Sequence, residues 1–201
     1  MRLPLLGDST DTAATDRGRA TDRDRADERT TRAERRRRRS ARVVEGAKGG
    51  LVATLVMTAY RLPISHALPP TAVFWSKFVA GGDPNDHPVA AIVLHLLYGL
   101  GAGVAFGALV PTGSGSTAST PQLSSSAAEA DEDDREARRE AAGLLAGTVY
   151  GLVLSVFGER VVLERVLGMS LDADDRLVFH VGHAIYGLTL GTWMGSRVDD
   201  R

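Results

Sequence analysis

Two apolar segments of this sequence contain the same spacing of ionisable and small residues. His95 and Tyr98 occupy the positions in one segment that His183 and Tyr186 occupy in the other, within the common form H-x-x-Y-G-L-x-x-G-x-x-x-G. His180 precedes His183 by about one helical turn. Imidazole can donate or accept a hydrogen bond, transfer a proton or ligate a metal. These five residues are therefore the candidate intramembrane polar site.

Three kinds of chemistry are open to this set. The imidazoles could hydrogen-bond to Tyr98, Tyr186 or backbone carbonyls and hold helices in register. His95 and His183 could form a proton or ion relay in a small transporter or channel. They could also ligate haem or, with His180, a metal. We prefer the first role, rank the relay second, and rank ligation last because no carboxylate or thiol lies at that depth. No cofactor is predicted.

Four segments that are poor in charge must position these residues. They are approximately 46–64, 89–110, 141–158 and 177–195. A helix rises about 1.5 Å per residue, so segments of about 20 residues cross the roughly 30 Å of a bilayer core. Lys48 and Arg61 lie near the ends of the first segment, where long side chains reach the interface. The sequence therefore predicts an all-α integral membrane protein with four transmembrane helices.

The remaining segments are polar, and they divide the chain. We predict a disordered Arg/Asp-rich tail at 1–42, membrane hairpin 1 at 43–110, an acidic Ser-rich linker at 111–140, membrane hairpin 2 at 141–196 and a short C-terminus at 197–201. The tail, from Asp8 to Arg42, has too few large apolar side chains to bury a core. Within hairpin 1, Pro69-Pro70 and Gly81-Gly82 predict the start and stop of a short helix. Asp86 and Asp174 are predicted to cap the second and fourth spans.

Arginine clusters predict the orientation of the spans. One cluster precedes the first span and another precedes the third: Arg35, Arg36, Arg37, Arg38 and Arg39, then Arg135, Arg138 and Arg139. Basic residues favour the cytoplasmic side, and an even number of spans returns the chain to that side. The expected location is the cell membrane, multi-pass, with both termini cytoplasmic. We expect the first cluster to contact anionic lipid rather than nucleic acid, because it adjoins a span.

Glycines recur every fourth residue along the predicted spans, and they predict how the helices pack. The helix-packing candidates are Gly99, Gly103, Gly107, Gly143, Gly147, Gly151, Gly187, Gly191 and Gly195. Small residues let helix backbones approach closely in a membrane. Together with the histidine–tyrosine pattern, these glycines indicate that the chain contains two copies of one helical hairpin. The two copies would have parallel topology and be related by an axis along the membrane normal. Whether some ridges also form a homo-oligomer stays open.

Catalytic motifs are absent from the sequence. The chain has no cysteine, and it contains no G-x-x-x-x-G-K-[ST], G-x-S-x-G or H-E-x-x-H. We therefore predict a non-enzymatic membrane protein with a structural or accessory role. The alternative is a small transporter or channel that uses the histidine pair.

The stretches LPPTAVFWSKFVAGGDPNDHP and HLLYGLGAGVAFG support a family resemblance. The chain resembles a group of small uncharacterised prokaryotic multi-span membrane proteins, of haloarchaeal type, that form a domain of unknown function. The resemblance covers about Gly46 to Gly195. It implies a membrane location, and it implies no activity or site residue.

Overall fold

The computed structural model describes residues 10–64, 68–109 and 125–197. Over these ranges the chain is helical and contains no strand. The helices are α1 (Thr10–Arg61), α2 (Thr71–Trp75), α3 (Pro88–Leu109), α4 (Ser125–Phe157) and α5 (Ala173–Arg197). α2 continues as a π-helical turn over Ser76–Ala80, and α4 continues as a π-helical segment over Gly158–Leu167. A 3-10 turn, Pro84–Asp86, precedes α3.

The chain divides into two compact units, Met1–Ala41 and Arg42–Arg201. The first unit is helical from Thr10, where the sequence predicts disorder. Its described side chains from residue 28 to residue 40 are all exposed, so this helix has no buried core. Arginine, alanine and glutamate favour helix by themselves, and opposite charges recur four residues apart, as in Glu34 and Arg38. The amino-acid composition of this segment rules out a buried core, but it is compatible with a helix that is exposed to solvent.

A second difference concerns the predicted flexible linker. α4 begins at Ser125, so the acidic half of the linker is helical. This half is rich in alanine and glutamate, which favour helix. The rest of the linker, 110–124, lies outside the described residues.

Two helices of the described chain are long and apolar enough to cross a membrane. They are Pro88–Leu109 and Ala137–Leu167, and their most apolar stretches are only 28% and 22% buried. A core helix of a soluble protein would bury most of such a stretch. α1 and α5 do not meet the same criterion, because Lys48 and Arg61 interrupt α1 and two histidines lower the hydropathy of α5. The described part of the chain is therefore all-helical, with two candidate spans.

α1 and α3 pack backbone to backbone through small residues. A Cβ atom added to Gly103 would overlap the carbonyl oxygen of Gly46, and one on Gly50 would lie 2.8 Å from the Cα of Gly103. One turn further along, a Cβ on Gly99 would overlap the hydroxyl of Thr54. Any side chain at these glycines would push the two helices apart.

α4 and α5 form a second contact of the same kind. A Cβ on Gly147 would lie 2.6 Å from the Cα of Gly191, and one on Gly151 would lie 2.9 Å from the Cα of Gly187. All nine glycines proposed from the sequence for helix packing lie in one or the other of these two contacts.

The buried apolar cluster lies where the four long helices of the second unit meet. Its members are Ala53 and Met57 from α1, Ala102 and Phe106 from α3, and Tyr186, Leu190 and Met194 from α5, with Tyr150 and Leu154 of α4 packed against them. The Phe106 and Tyr150 rings lie 5.0 Å apart between centroids. The cluster joins the α1–α3 pair to the α4–α5 pair.

The two connecting segments at the α2 end of these helices contact each other. The Lys77 ammonium donates to the carbonyl oxygens of Val166 and Leu167, at 3.0 and 3.1 Å. These are among the last carbonyls of the π-helical segment, which a helix leaves without an internal partner. Gly168 ends that segment with φ of 73°, a left-handed conformation that favours glycine. Lys77 therefore links hairpin 1 to hairpin 2.

The structure corrects both predicted caps and confirms the predicted short helix. Asp172, and not Asp174, caps α5, because its Oδ1 accepts from the backbone N–H of Asp175 at 2.8 Å. Asp86 lies in the 3-10 turn, whose N-terminus is capped by Asp83. α5 begins at Ala173, one residue before Asp174, and a 3-10 turn that contains Asp86 precedes α3. The short helix begins at Thr71, after the proline pair.

Candidate functional site

A cavity of about 470 Å³ lies among the helices at the α2 end. Sites for small molecules typically measure about 300–1,000 Å³. All five helices or their extensions contribute to its lining. The apolar part of the lining includes Met57, Pro69, Pro70, Phe74, Leu94, Leu97, Val162, Leu163, Leu167, Val178 and Phe179. The π-helical segment Gly158–Leu167 forms one wall, and such segments often occur at functional sites.

A few polar groups interrupt this apolar lining. Two of them are threonines whose hydroxyls are already used: Thr58 donates to the Thr54 carbonyl and Thr71 to the Ala91 carbonyl, each at 2.7 Å. The others are Arg61, His95, Tyr98 and His183. The polar chemistry of the cavity therefore rests on one guanidinium, two imidazoles and a phenol.

His183 is held in one orientation. Its Nδ1 lies 2.9 Å from the carbonyl oxygen of Phe179. A carbonyl only accepts, so Nδ1 carries the hydrogen and Nε2 of the neutral ring is an acceptor. The ring also packs on Phe179, with 4.4 Å between centroids, and the residue is only 7% exposed.

The structure brings together four of the five residues proposed from the sequence. His95, Tyr98, His183 and Tyr186 all line a void of about 10 Å³ beside the larger cavity. That volume holds at most about one water molecule. No described residue makes a hydrogen bond with the His95 ring or the Tyr98 hydroxyl. The two histidines face a shared space without bonding to each other.

Tyrosine hydroxyls connect the two helix pairs. Tyr186 of α5 donates to the Gly99 carbonyl of α3 at 2.7 Å. Tyr150 of α4 donates to the Ala102 carbonyl of α3 at 2.8 Å. Both bonds are side chain to backbone, so the acceptors need no particular residue type. The sequence predicted interhelical bonds from the imidazoles to Tyr98, Tyr186 or backbone carbonyls. In the structure the interhelical donors to carbonyls are Tyr186 and Tyr150, and His183 bonds to a carbonyl of its own helix.

His180 does not line the cavity, although its spacing suggested that it could join the other two histidines. Its Nδ1 lies 2.8 Å from the hydroxyl of Ser155, and its Nε2 lies 3.0 Å from Oε2 of Glu159. The other carboxylate oxygen accepts from Nε of Arg176 at 2.6 Å. Ser155 on α4 and Glu159 on its π-helical continuation therefore hold the His180 ring away from His95. We call Ser155, Glu159, Arg176 and His180 the buried polar network.

The buried polar network connects a serine, a histidine and a carboxylate in the same order as the triad of a serine hydrolase. The serine, however, is not accessible to a substrate. Ser155 is 0% exposed, and its hydroxyl also donates to the Leu152 carbonyl at 2.8 Å. A nucleophile must reach a substrate, and this hydroxyl contacts only protein. Glu159 is 6% exposed and lies between two basic groups. The arrangement suits a structural ion pair that joins α4 to α5.

No group of three or more His, Asp or Glu side chains within the described ranges could hold a metal ion. Sequence reasoning missed several residues of the site: Arg61, Glu159 and Tyr150. The available pattern was a charge at the end of an apolar segment, and for Arg61 this pattern predicts a side chain that reaches the interface. Tyr150 had no distinguishing pattern, because its partner is a backbone carbonyl.

Comparison with protein-family models, with curated proteins and with solved structures finds no match for the chain. Its function is therefore inferred from the residues and their geometry.

Proposed function

We propose that this chain is a non-enzymatic, four-span membrane protein with an accessory role, and that it holds an apolar, chain-like molecule in the cavity at the α2 end. The observation that carries the proposal is the cavity itself, which is large, mostly apolar and lined by every helix of the second unit. Two of its lining residues, Leu97 and Tyr98, are 56% and 39% exposed, so the cavity is open to the surroundings.

Exposed apolar side chains support a membrane position for α1 and α5 as well. Leu55 and Val56 of α1 are 53% and 41% exposed, and Leu177 and Leu188 of α5 are 64% and 38% exposed. Each helix packs by its glycines against a candidate span. Lipid would cover the exposed faces, as it would those of α3 and α4. The arrangement then consists of two hairpins in parallel topology, with the α2 end outside the cell.

Single-cysteine labelling tests this topology, since the chain has no cysteine of its own. We expect Asp86→Cys and Ser170→Cys, both exposed at the α2 end, to react with a membrane-impermeant maleimide in intact cells. Ser196→Cys, exposed at the other end of α5, should react only after permeabilisation. Labelling of Asp86→Cys without Ser170→Cys in intact cells would contradict the two-hairpin topology. Labelling of Ser196→Cys alone in intact cells would show that the orientation is the opposite one, with the α2 end inside the cell.

Narrowing the cavity tests the proposed binding function. In Leu94→Trp a larger ring replaces a lining side chain of α3, so we expect the affinity for methyl oleate, a neutral chain, to fall by about tenfold or more. Titration followed by native mass spectrometry counts bound molecules on each protein. Leu109→Trp is the matched control, because Leu109 is 70% exposed and outside the lining. Equal affinities in both variants and the parent protein would refute a chain-binding cavity.

A proton or ion relay through the histidines ranks second. The buried polar network supplies a hydrogen-bonded path from Glu159 through His180 to Ser155. The Ser155 hydroxyl then donates to the Leu152 carbonyl, which has no exchangeable proton to pass on. Haem or metal ligation by His95 and His183 ranks third, since no group of three or more metal-ligating side chains lies together among the described residues.

A further inference from the structure

Arg61 is the cationic side chain in the lining of the cavity, and no described residue forms a hydrogen bond or an ion pair with its guanidinium. Its Nε atom is buried and makes no hydrogen bond. No described acidic side chain lies within the 4.0 Å of an ion pair, although Asp175 is near enough to attract the charge. A half-buried guanidinium is stabilised by a planar acceptor that can take two of its N–H groups. The position is therefore suited to an anion, and none of the described acidic side chains forms an ion pair with Arg61.

Several other charged groups at this end of the helices are already bound by protein groups. No aspartate or glutamate belongs to the cavity lining among the described residues. Glu159 is already bound by Arg176 and His180. Lys77 is bound to the carbonyls of Val166 and Leu167. The neutral His183 ring offers an acceptor, so it does not bind an anion. Arg61 alone gives the cavity a positive charge.

The placement of Arg61 also matches the shape of a lipid. It lies at the last residue of α1, next to the exposed Leu62 and Ile64. Met57, one turn back along α1, and Leu94 and Val178 on neighbouring helices line the apolar part. A molecule with a charged head at the membrane boundary and a chain directed into the helices would satisfy both parts.

We infer that the cavity binds a single-chain anionic lipid, a fatty acid, with its carboxylate on the Arg61 guanidinium and its chain along the apolar lining. The inference rests on the proposed chain-binding function and adds the headgroup. A charge-assisted, two-point contact in a mostly apolar cavity makes the anionic form of the ligand the preferred one.

Headgroup exchange on one chain tests the inference. Oleate, methyl oleate and oleylamine share a chain and differ in charge, and native mass spectrometry measures the binding of each to the full chain in detergent. We expect oleate to bind at least about tenfold more tightly than methyl oleate, and oleylamine to bind least. Arg61→Gln should abolish the preference, so that the ratio of oleate affinity to methyl oleate affinity falls to about one. Arg61→Lys should keep part of the preference.

The matched control is Arg160→Gln, because Arg160 lies at the same end, is 68% exposed and is outside the lining. It removes the same charge and should keep the full preference for oleate. Equal binding of oleate and methyl oleate by the parent protein would overturn the headgroup inference and leave the chain-binding function standing. Failure of all three probes to bind would overturn both. If Arg61→Gln does not fold, the inference is still tested by comparing the binding of oleate and methyl oleate to the parent protein and to Arg61→Lys.

Discussion

Replacing Gly103 by alanine should strongly destabilise the α1–α3 pair. The new Cβ would overlap the Gly46 carbonyl oxygen, and it would also lie 2.7 Å from the Cα of Gly50. Both obstacles are backbone atoms, which cannot turn aside as a flexible side chain can. Relief requires the helices to separate along their whole contact. We expect a loss of about 3 kcal/mol or more in the free energy of unfolding, since ordinary overpacking already costs about 1–3 kcal/mol.

Gly101 of the same helix is the control for this effect. A Cβ on Gly101 meets nothing within 4 Å. Gly101→Ala should therefore be neutral, or stabilising by up to about 1 kcal/mol through the better helix propensity of alanine. Thermal unfolding in detergent, followed by circular dichroism, measures both variants. Similar melting temperatures for Gly103→Ala and Gly101→Ala would show that the backbones do not approach as described.

Replacing Glu159 by glutamine should give the second large loss of stability. The carboxylate is 8% exposed as a side chain and holds Arg176 at 2.6 Å and His180 at 3.0 Å. Removing one partner of a buried ion pair costs about 3–5 kcal/mol, because the remaining charge is left without compensation. The Arg176 side chain is 51% exposed and can still reach solvent. We therefore expect a smaller loss, of about 2 kcal/mol.

Glu164→Gln is the matched control for Glu159→Gln. Glu164 lies in the same π-helical segment and faces Arg160 at 3.8 Å, but its side chain is 38% exposed and that of Arg160 is 68% exposed. Exposed pairs of this kind contribute about 0–1 kcal/mol. The melting temperature of the Glu164 variant should stay close to that of the parent protein. A shift as large as that of Glu159→Gln would mean that burial does not set the strength of this ion pair.

The histidines show how far spacing alone can predict a site. His95, Tyr98, His183 and Tyr186 lie on helix faces that periodicity identifies, and the structure places them around one void. His180 has equally suitable spacing and lies elsewhere. Periodicity places a side chain on a face of its own helix. It gives no information about Ser155 and Glu159 on the neighbouring helix, which bind the His180 ring.

By itself the sequence determined the helical class and the glycines at which helix backbones meet. It predicted four spans, and two of the described helices, Pro88–Leu109 and Ala137–Leu167, are long and apolar enough to cross a membrane. Each of these depends on properties of single segments: length, hydropathy and the absence of a side chain. It did not determine that the charged N-terminal segment is helical, since composition decides whether a core can form and not whether a solvated helix can.

Only the tertiary structure decided which polar groups are used. Arg61, Tyr150 and Glu159 acquire their roles from contacts with distant parts of the chain: a cavity wall, the carbonyl of Ala102, and Arg176 together with His180. Whether a charge is satisfied depends on which partners packing brings within about 3 Å, and local sequence does not encode that distance. The unsatisfied guanidinium beside an apolar cavity is therefore a property of the fold as a whole.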